Sequence, residues 1–309
     1  MFGNASIPDR LSDTVPTSPS LDGSVVAITG AGRGIGKATA TELAERGARV
    51  VIGDLDFSHA ERAASAINHT VTPSSGGVAI ALRLDVRDRL SFRRFLDEAG
   101  RDFGPLDVLV NNAGIMPVGP FLDEDEPSAR AAFEINVGGT MSGMKLALPG
   151  MLERGSGHIV NVACYAGLLP APGQITYAAT KSAVLALTDG ARWEFQRSGV
   201  AFTAIVPSFT RTELVAGTRA PRSASLHPEA VAAAIADAIA SRARTVYVPG
   251  RARSIGSALS MLPSPVRRRI HRALGTDSAF LDLDRGERRG YEQRIRQTTD
   301  SDRTEPPTG

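Results

Sequence analysis

The sequence predicts an α/β protein built on a doubly wound parallel sheet of about seven strands, in one domain with a C-terminal helical extension. Three observations predict it. Short, uninterrupted apolar runs recur along the 309-residue chain, as strands covered on both faces require. The stretches between them are long enough for crossover helices, which return the chain to the sheet with right-handed sense. The first run leads directly into a glycine-rich turn that opens a helix.

Residues 1–20, rich in Ser, Pro, Asp and Thr, read as a flexible arm, and the core domain is expected over 21–250. Val25 to Thr29 forms the first strand. The turn Thr29-Gly30-Ala31-Gly32-Arg33-Gly34-Ile35-Gly36 follows, and a helix runs from Gly36 to Arg46. Such a turn suits a dinucleotide pyrophosphate, because backbone N–H groups at a helix start point at the anion. The second strand, Arg49 to Gly53, ends at Asp54, whose carboxylate is placed to accept from both adenosine ribose hydroxyls and to repel the extra phosphate of NADP. This favours NAD. The alternatives are an ordinary loop acid at Asp54 and, through Arg33, a guanidinium for that phosphate.

The third strand, Val78 to Leu84, closes on Asp85-Val86, read either as a contact to adenine or as a cap for the helix Arg89 to Asp102. The fourth, Val108 to Asn111, ends in Asn111-Asn112-Ala113-Gly114, where small residues allow close backbone approach to a ribose, unless it is a simple turn. A helix is expected over Ser128 to Leu152 and a strand over His158 to Ala163. Thr176 to Arg197 is the next helix, and it places Tyr177 and Lys181 four apart on one face. Alone, that pair reads as a solvated helix face; beside a cofactor turn it reads as acid/base machinery, since an ammonium favours the phenolate of a tyrosine that otherwise titrates near 10. Val200 to Val206 and Thr245 to Val248 complete the strands.

These motifs together resemble the short-chain dehydrogenase/reductase family, in its compact TGxxxGxG, NNAG and YxxxK form, over about residues 22–250. The resemblance implies a Rossmann fold and an NAD(P)-dependent oxidoreductase acting on a secondary alcohol or carbonyl. It makes Tyr177 the general acid/base, Lys181 the residue that binds the nicotinamide ribose and lowers the tyrosine pKa, and Asn136 the support of a proton-relay water. It assigns the cofactor to Gly30, Arg33, Gly34, Ile35, Gly36, Asp54, Asp85, Val86, Asn112, Ala113, Gly114, Tyr177 and Lys181. In Pro207-Ser208-Phe209-Thr210-Arg211-Thr212 it adds Pro207, the Thr210 backbone for the carboxamide and Thr212 for the pyrophosphate, with Ser208 in place of glycine. Glu213 to His227 falls where the family carries a mobile lid. Ser128 to Leu152 and Thr176 to Arg197 fall where it assembles into dimers or tetramers.

One position departs from that pattern. Cys164 stands where the family has a serine that hydrogen-bonds the substrate oxygen, and its neighbour is Ala163. A thiol is the weaker donor. Cys164 is read as a working substitute for the serine, as an inert small hydrophobe, or as a thiolate near Lys181. It motivates a rival reading, an NAD-binding sensor or scaffold without useful turnover, against which the retained Tyr177, Lys181 and Asn136 argue.

Composition excludes other classes. Cys164 is the single cysteine, so no intrachain disulfide exists, and five scattered histidines suggest no metal site. No run approaches a membrane span and no secretory leader is evident, which makes a cytoplasmic protein the expectation. Lysine occurs only at 37, 145 and 181. The net charge of +2 arises in residues 251–309, where twelve Arg face eight acids, so the core is no polyanion binder and no nucleic-acid partner is expected. Residues 251–297 read as a basic amphipathic extension and 298–309 as a flexible tail. Within 251–272, Ile255, Leu259, Met261 and Leu262 beside the arginines suit a peripheral membrane contact; the alternative is a helix folded over the protein's own pocket or a dimer partner. Either arrangement suits a lipophilic substrate.

Overall fold

A computed structural model describes residues 21–71, 76–219, 225–252, 263–273, 275 and 277–300. Seven parallel strands form one sheet: β1 (Val25–Thr29), β2 (Arg49–Asp54), β3 (Val78–Arg83), β4 (Val108–Asn111), β5 (Gly157–Val162), β6 (Val200–Pro207) and β7 (Thr245–Val248), in the order β3-β2-β1-β4-β5-β6-β7. β1 pairs with both β2 and β4, Val26 standing opposite Val50 and Val108. The winding reverses there, so the carboxyl ends of β1 and β4 diverge and leave a crevice for a ligand.

Alternation along the strands builds two cores. Val26, Ile28, Val50, Ile52, Val110 and Val160 face α1 (Gly34–Glu45), α2 (Phe57–Thr70) and, later in the chain, α7 (Pro228–Ser241). Ala27, Val51, Leu109 and Ile159 point the other way, onto α3 (Arg89–Phe103), α5 (Thr140–Glu153) and the carboxyl half of α6 (Ile175–Glu194). Both faces are covered, which is why each strand reads as a continuous apolar run.

The helix expected over Ser128 to Leu152 has three parts: α4 (Glu126–Phe133), a π-helical stretch Glu134–Gly139, and α5. Such widened turns break the regular i→i−4 ladder and re-aim side chains, here around Asn136. Asp56, Asp88 and Asp125 cap α2, α3 and α4 by accepting from the N–H groups of Ser58, Leu90 and Ser128. The cap of α3 is therefore Asp88, and the reading of Asp85 as that cap is corrected. Beyond β7 lie α8 (Ser264–Ala273) and α9 (Arg285–Asp300). Ile255, Leu259, Met261 and Leu262, on which the membrane reading leans, fall outside the described residues, as do the N-terminal arm and residues 301–309. Among the described residues no helix is long and apolar enough to cross a membrane.

Candidate active site

A cavity of about 880 Å³ opens at the carboxyl ends of the strands. Gly30, Arg33, Gly34, Ile35, Asp54, Asp85, Val86, Asn112, Ala113, Gly114, Cys164, Tyr177, Lys181, Pro207, Thr210 and Thr212 all line it; Gly36 and Asn136 stand behind that lining. The glycine turn is shaped by close approaches. Gly30 and Gly34 adopt φ of +62° and +55°, in the left-handed region that glycine enters freely. A Cβ at Gly36 would lie 2.5 Å from the Gly30 carbonyl oxygen, and one at Gly32 would lie 2.8 Å from Asp54 Oδ2. The turn is stitched to the end of β4: Thr29 Oγ1 accepts from the amides of Asn112 and Ala113 at 3.0 Å each, while Asn112 Nδ2 donates to the Thr29 and Gly30 carbonyls. α1 follows Arg33 at its N-cap without a side-chain cap, unlike α2, α3 and α4. A phosphate fits such a helix start, where N–H groups lack intrahelical partners.

At the far end of the turn Asp54 Oδ2 accepts from Gly32 N at 2.9 Å, which fixes the carboxylate at the tip of β2. Arg33 is engaged elsewhere, by Glu213 at 2.9 Å and by His59. Asp85 is held by the side chain and amide of Arg87; burial works against its charge, but these bonds keep its pKa below the ordinary value. Thr212 lies against the turn, its Cγ2 3.4 Å from where a Gly34 Cβ would stand.

α6 delivers the tyrosine and lysine, and buried polar contacts hold that helix in place. Asn111 Nδ2 donates to Asn161 Oδ1 at 2.8 Å, and Asn161 Nδ2 donates to Thr188 Oγ1 at 2.9 Å, tying β4 and β5 to the far turns of α6. Near Tyr177 and Lys181, Asn136 Nδ2 donates to Thr180 Oγ1, which itself donates to the Tyr177 carbonyl. Asn136 also exchanges two hydrogen bonds of 2.9 Å with the Ile115 backbone, so its amide is spent on positioning. Each such bond is worth about 1 kcal/mol, and a buried partner left unpaired costs about 1–3 kcal/mol.

Tyr177 and Lys181 are both 5% exposed. Lys181 Nζ donates to the Val162 carbonyl at 2.9 Å and sits 5.8 Å from the centre of the Tyr177 ring. Burial pulls its ammonium down to about 8, against a smaller upward pull from Cys164. Burial also acts first on Tyr177, then the Cys164 thiol and Tyr291, and all push the phenol well above 10.0. The implied lowering by Lys181 is thus not what the protein alone produces: the ammonium is directed at a carbonyl, and removal from water dominates. In the protein alone burial thus favours the neutral phenol over the phenolate.

Cys164 is half-buried and close enough to Tyr177 to push its phenol up. Its sulfur also accepts from Ala166 N at 3.4 Å, starting the short turn Tyr165–Gly167. That turn rests directly on the backbone of α6, since a Cβ at Gly167 would lie 2.7 Å from the Lys181 carbonyl carbon. Gly167, which no motif marks, thereby brings β5 and the tyrosine together. Cys164 and Tyr177 line the same cavity.

The C-terminal chain also reaches the site. Phe280, Tyr291, Arg294 and Ile295 line the same cavity. Tyr291 accepts from Met116 N at 2.8 Å, and burial pushes its phenol up to about 12. Sequence reasoning missed these residues because Arg288, Tyr291 and Ile295, although spaced along one helix face, lie among charges that blur the periodicity.

The chain matches the short chain dehydrogenase family over residues 24–223. The cis-4-hydroxycyclohexanecarboxylate dehydrogenase of Sinomonas cyclohexanicum is 40% identical over 223 residues, covering 69% of this chain and 87% of that protein. The 2,5-dichloro-2,5-cyclohexadiene-1,4-diol dehydrogenase of Sphingobium indicum is 36% identical over 196 residues, 63% of this chain and 76% of its own. Among solved structures, a short chain dehydrogenase/reductase from Burkholderia phymatum in complex with NAD has a TM-score of 0.70 at 28% identity, covering 76% of this chain and 92% of its own. A gluconate 5-dehydrogenase from Burkholderia cenocepacia in complex with NADP and tartrate has a TM-score of 0.68 at 30% identity, with coverage of 76% and 97%.

Proposed function

The chain belongs to the short-chain dehydrogenase family, an oxidoreductase by that membership, and we propose that it moves a hydride between NAD and an apolar, ring-bearing secondary alcohol or its ketone. One observation carries the reading: the Tyr177 hydroxyl, the Lys181 ammonium and the Cys164 thiol converge on a cavity whose other end is a glycine cradle. Asp54 at the tip of β2, with Arg33 already paired to Glu213, supports NAD over NADP. The ring-bearing alcohol is supported by the apolar cavity wall and by the two relatives named for cyclic alcohols.

When bound, NAD supplies the hydride acceptor and, in its oxidised form, a positive charge. The glycine turn, the uncapped start of α1 and Thr212 would hold the pyrophosphate end, and Lys181 would hold the nicotinamide ribose. In alcohol oxidation Tyr177, as the phenolate that the positive charge of bound NAD would favour, takes the hydroxyl proton at Oη; in reduction the phenol returns it. Cys164 donates its S–H to the substrate oxygen and so fixes that oxygen beside Tyr177. Asn136, through Thr180 and Ile115, keeps α6 and the loop after β4 in register with both.

The test is NADH formation by the purified protein across secondary alcohols from short aliphatic to polycyclic, with NADP run in parallel. The reading expects turnover that rises with apolarity and prefers NAD. Tight NAD binding without turnover on any alcohol would favour the sensor reading that Cys164 motivates.

A further inference from the structure

The family match ends at residue 223, yet a later segment is built into the catalytic cavity. Phe280 packs in one apolar cluster with Met116, Ala166 and Tyr177, and its ring stacks on Phe209 at 5.8 Å. Tyr291 lies close enough to Tyr177 to influence its titration. Between them, Arg288 is 1% exposed; its guanidinium donates to the carbonyls of Leu214, Ala216 and Met116 at 3.1, 3.0 and 2.6 Å and stacks over the Tyr291 ring at 4.9 Å. It thus joins α9 to the lid segment 213–219 and to the loop after β4. Burying a guanidinium is expensive unless hydrogen bonds satisfy it, and here three main-chain oxygens do so.

The core is shaped to receive this segment. A Cβ at Gly173 would lie 2.6 Å from the Phe280 carbonyl oxygen, and one at Gly217 would lie 2.4 Å from the Asp284 carbonyl oxygen; both glycines have positive φ. Backbone bonds run both ways, from Arg219 N to the Ala279 carbonyl and from Asp284 N to the Gly217 carbonyl. Glu213 of the lid adds an ion pair to Arg294 at 2.5 Å.

We propose that residues 279–295 form the substrate-selecting wall of this enzyme: Phe280 and Tyr291 are specificity-determining residues that touch the apolar part of the alcohol, and Arg288 is the positioning residue that joins them to the lid. The proposal rests on the reading of the cavity as an alcohol site. It follows that the substrate is an uncharged ring at this wall, because the buried Arg288 and the cavity-lining Arg294 of this segment are committed, Arg288 to carbonyls and Arg294 to Glu213.

The test compares full-length wild type with Phe280→Ala and Arg288→Lys, using a graded series of alicyclic secondary alcohols. Affinity is read by displacement of Nile red, which needs no turnover, and kcat and KM are read separately with NAD. Phe280→Ala should shift preference toward the bulkier alcohols by about tenfold or more, with NAD affinity within about twofold of wild type. Arg288→Lys, which keeps the charge but cannot span three carbonyls, should raise KM more than it lowers kcat. It should also speed hydrogen exchange at the amides of Arg219 and Asp284. An unchanged size preference in Phe280→Ala, unchanged exchange in Arg288→Lys, or failure of wild type to bind the dye would overturn the proposal. Absence of turnover on every alcohol, with displacement still graded by size and shifted in Phe280→Ala, would instead defeat the dehydrogenase reading and leave the wall in place.

Discussion

At Cys164 one atom separates this chain from a stronger oxygen-binding site. The sulfur stands beside Tyr177 and faces the cavity, but a thiol donates a weaker hydrogen bond than a hydroxyl. Losing an oxyanion donor outright costs about 2.7–4 kcal/mol, and a thiol retains part of that. Cys164→Ser should therefore raise kcat by about tenfold with KM little changed, measured on the best alcohol of the panel; a fall in kcat would mean that the cavity is tuned to sulfur. Lys181 provides a second check, in the protein alone. Its ammonium is costlier in the fold than in the unfolded chain, so the folded pKa near 8 lies below the ordinary 10.5. The cost is full below pH 8 and fades as pH rises toward 10.5, because in that window the unfolded chain binds the extra proton. Relative to Lys181→Met, wild-type unfolding free energy should thus rise with pH between 8 and 10, by roughly 3 kcal/mol at most. Denaturant titrations at several pH values measure it, and parallel curves would contradict it. Tyr177 and Tyr291, held neutral by burial, weaken the fold only above about pH 10.

At the scale of elements, strands were the most legible. The apolar runs at Val25, Arg49, Val108, Val200 and Thr245 start where β1, β2, β4, β6 and β7 start, because a strand buried on both faces leaves an unbroken apolar signature. The π-helical stretch around Asn136 was not legible, since its cause is a set of contacts to Ile115 and Thr180 far along the chain. Nor was the docking of α9: its buried face consists of Arg288, Tyr291 and Ile295, and no sequence rule marks an arginine as a core residue. Gly217 is where that docking can be probed without touching the catalytic groups. Gly217→Ala places a Cβ against the Asp284 carbonyl and Arg288 at a φ of +68°. It should cost about 2 kcal/mol and lower Tm by a few degrees in calorimetry. An unchanged Tm would mean that α9 is not clamped to residues 213–219.

Over the whole molecule, the two ends of the cavity arise from different kinds of information. The cradle is local: Gly30 to Gly36, Asp54 and Asn112 to Gly114 meet because β1, β2 and β4 are neighbours in the sheet, and short motifs suffice to mark them. The other end, which we propose takes the substrate, is assembled from residues 116, 164, 177, 209, 280 and 291, so it exists only after the chain has closed on itself. The central claim joins the halves, namely that Tyr177 moves a proton for a hydride transfer supported by the cradle. Its most direct measurement is kcat for NAD-dependent oxidation of the best alcohol by wild type and Tyr177→Phe, with NAD affinity determined for both. The account predicts a loss of roughly 10²–10⁴-fold in kcat with NAD affinity retained; turnover by Tyr177→Phe equal to wild type would contradict it.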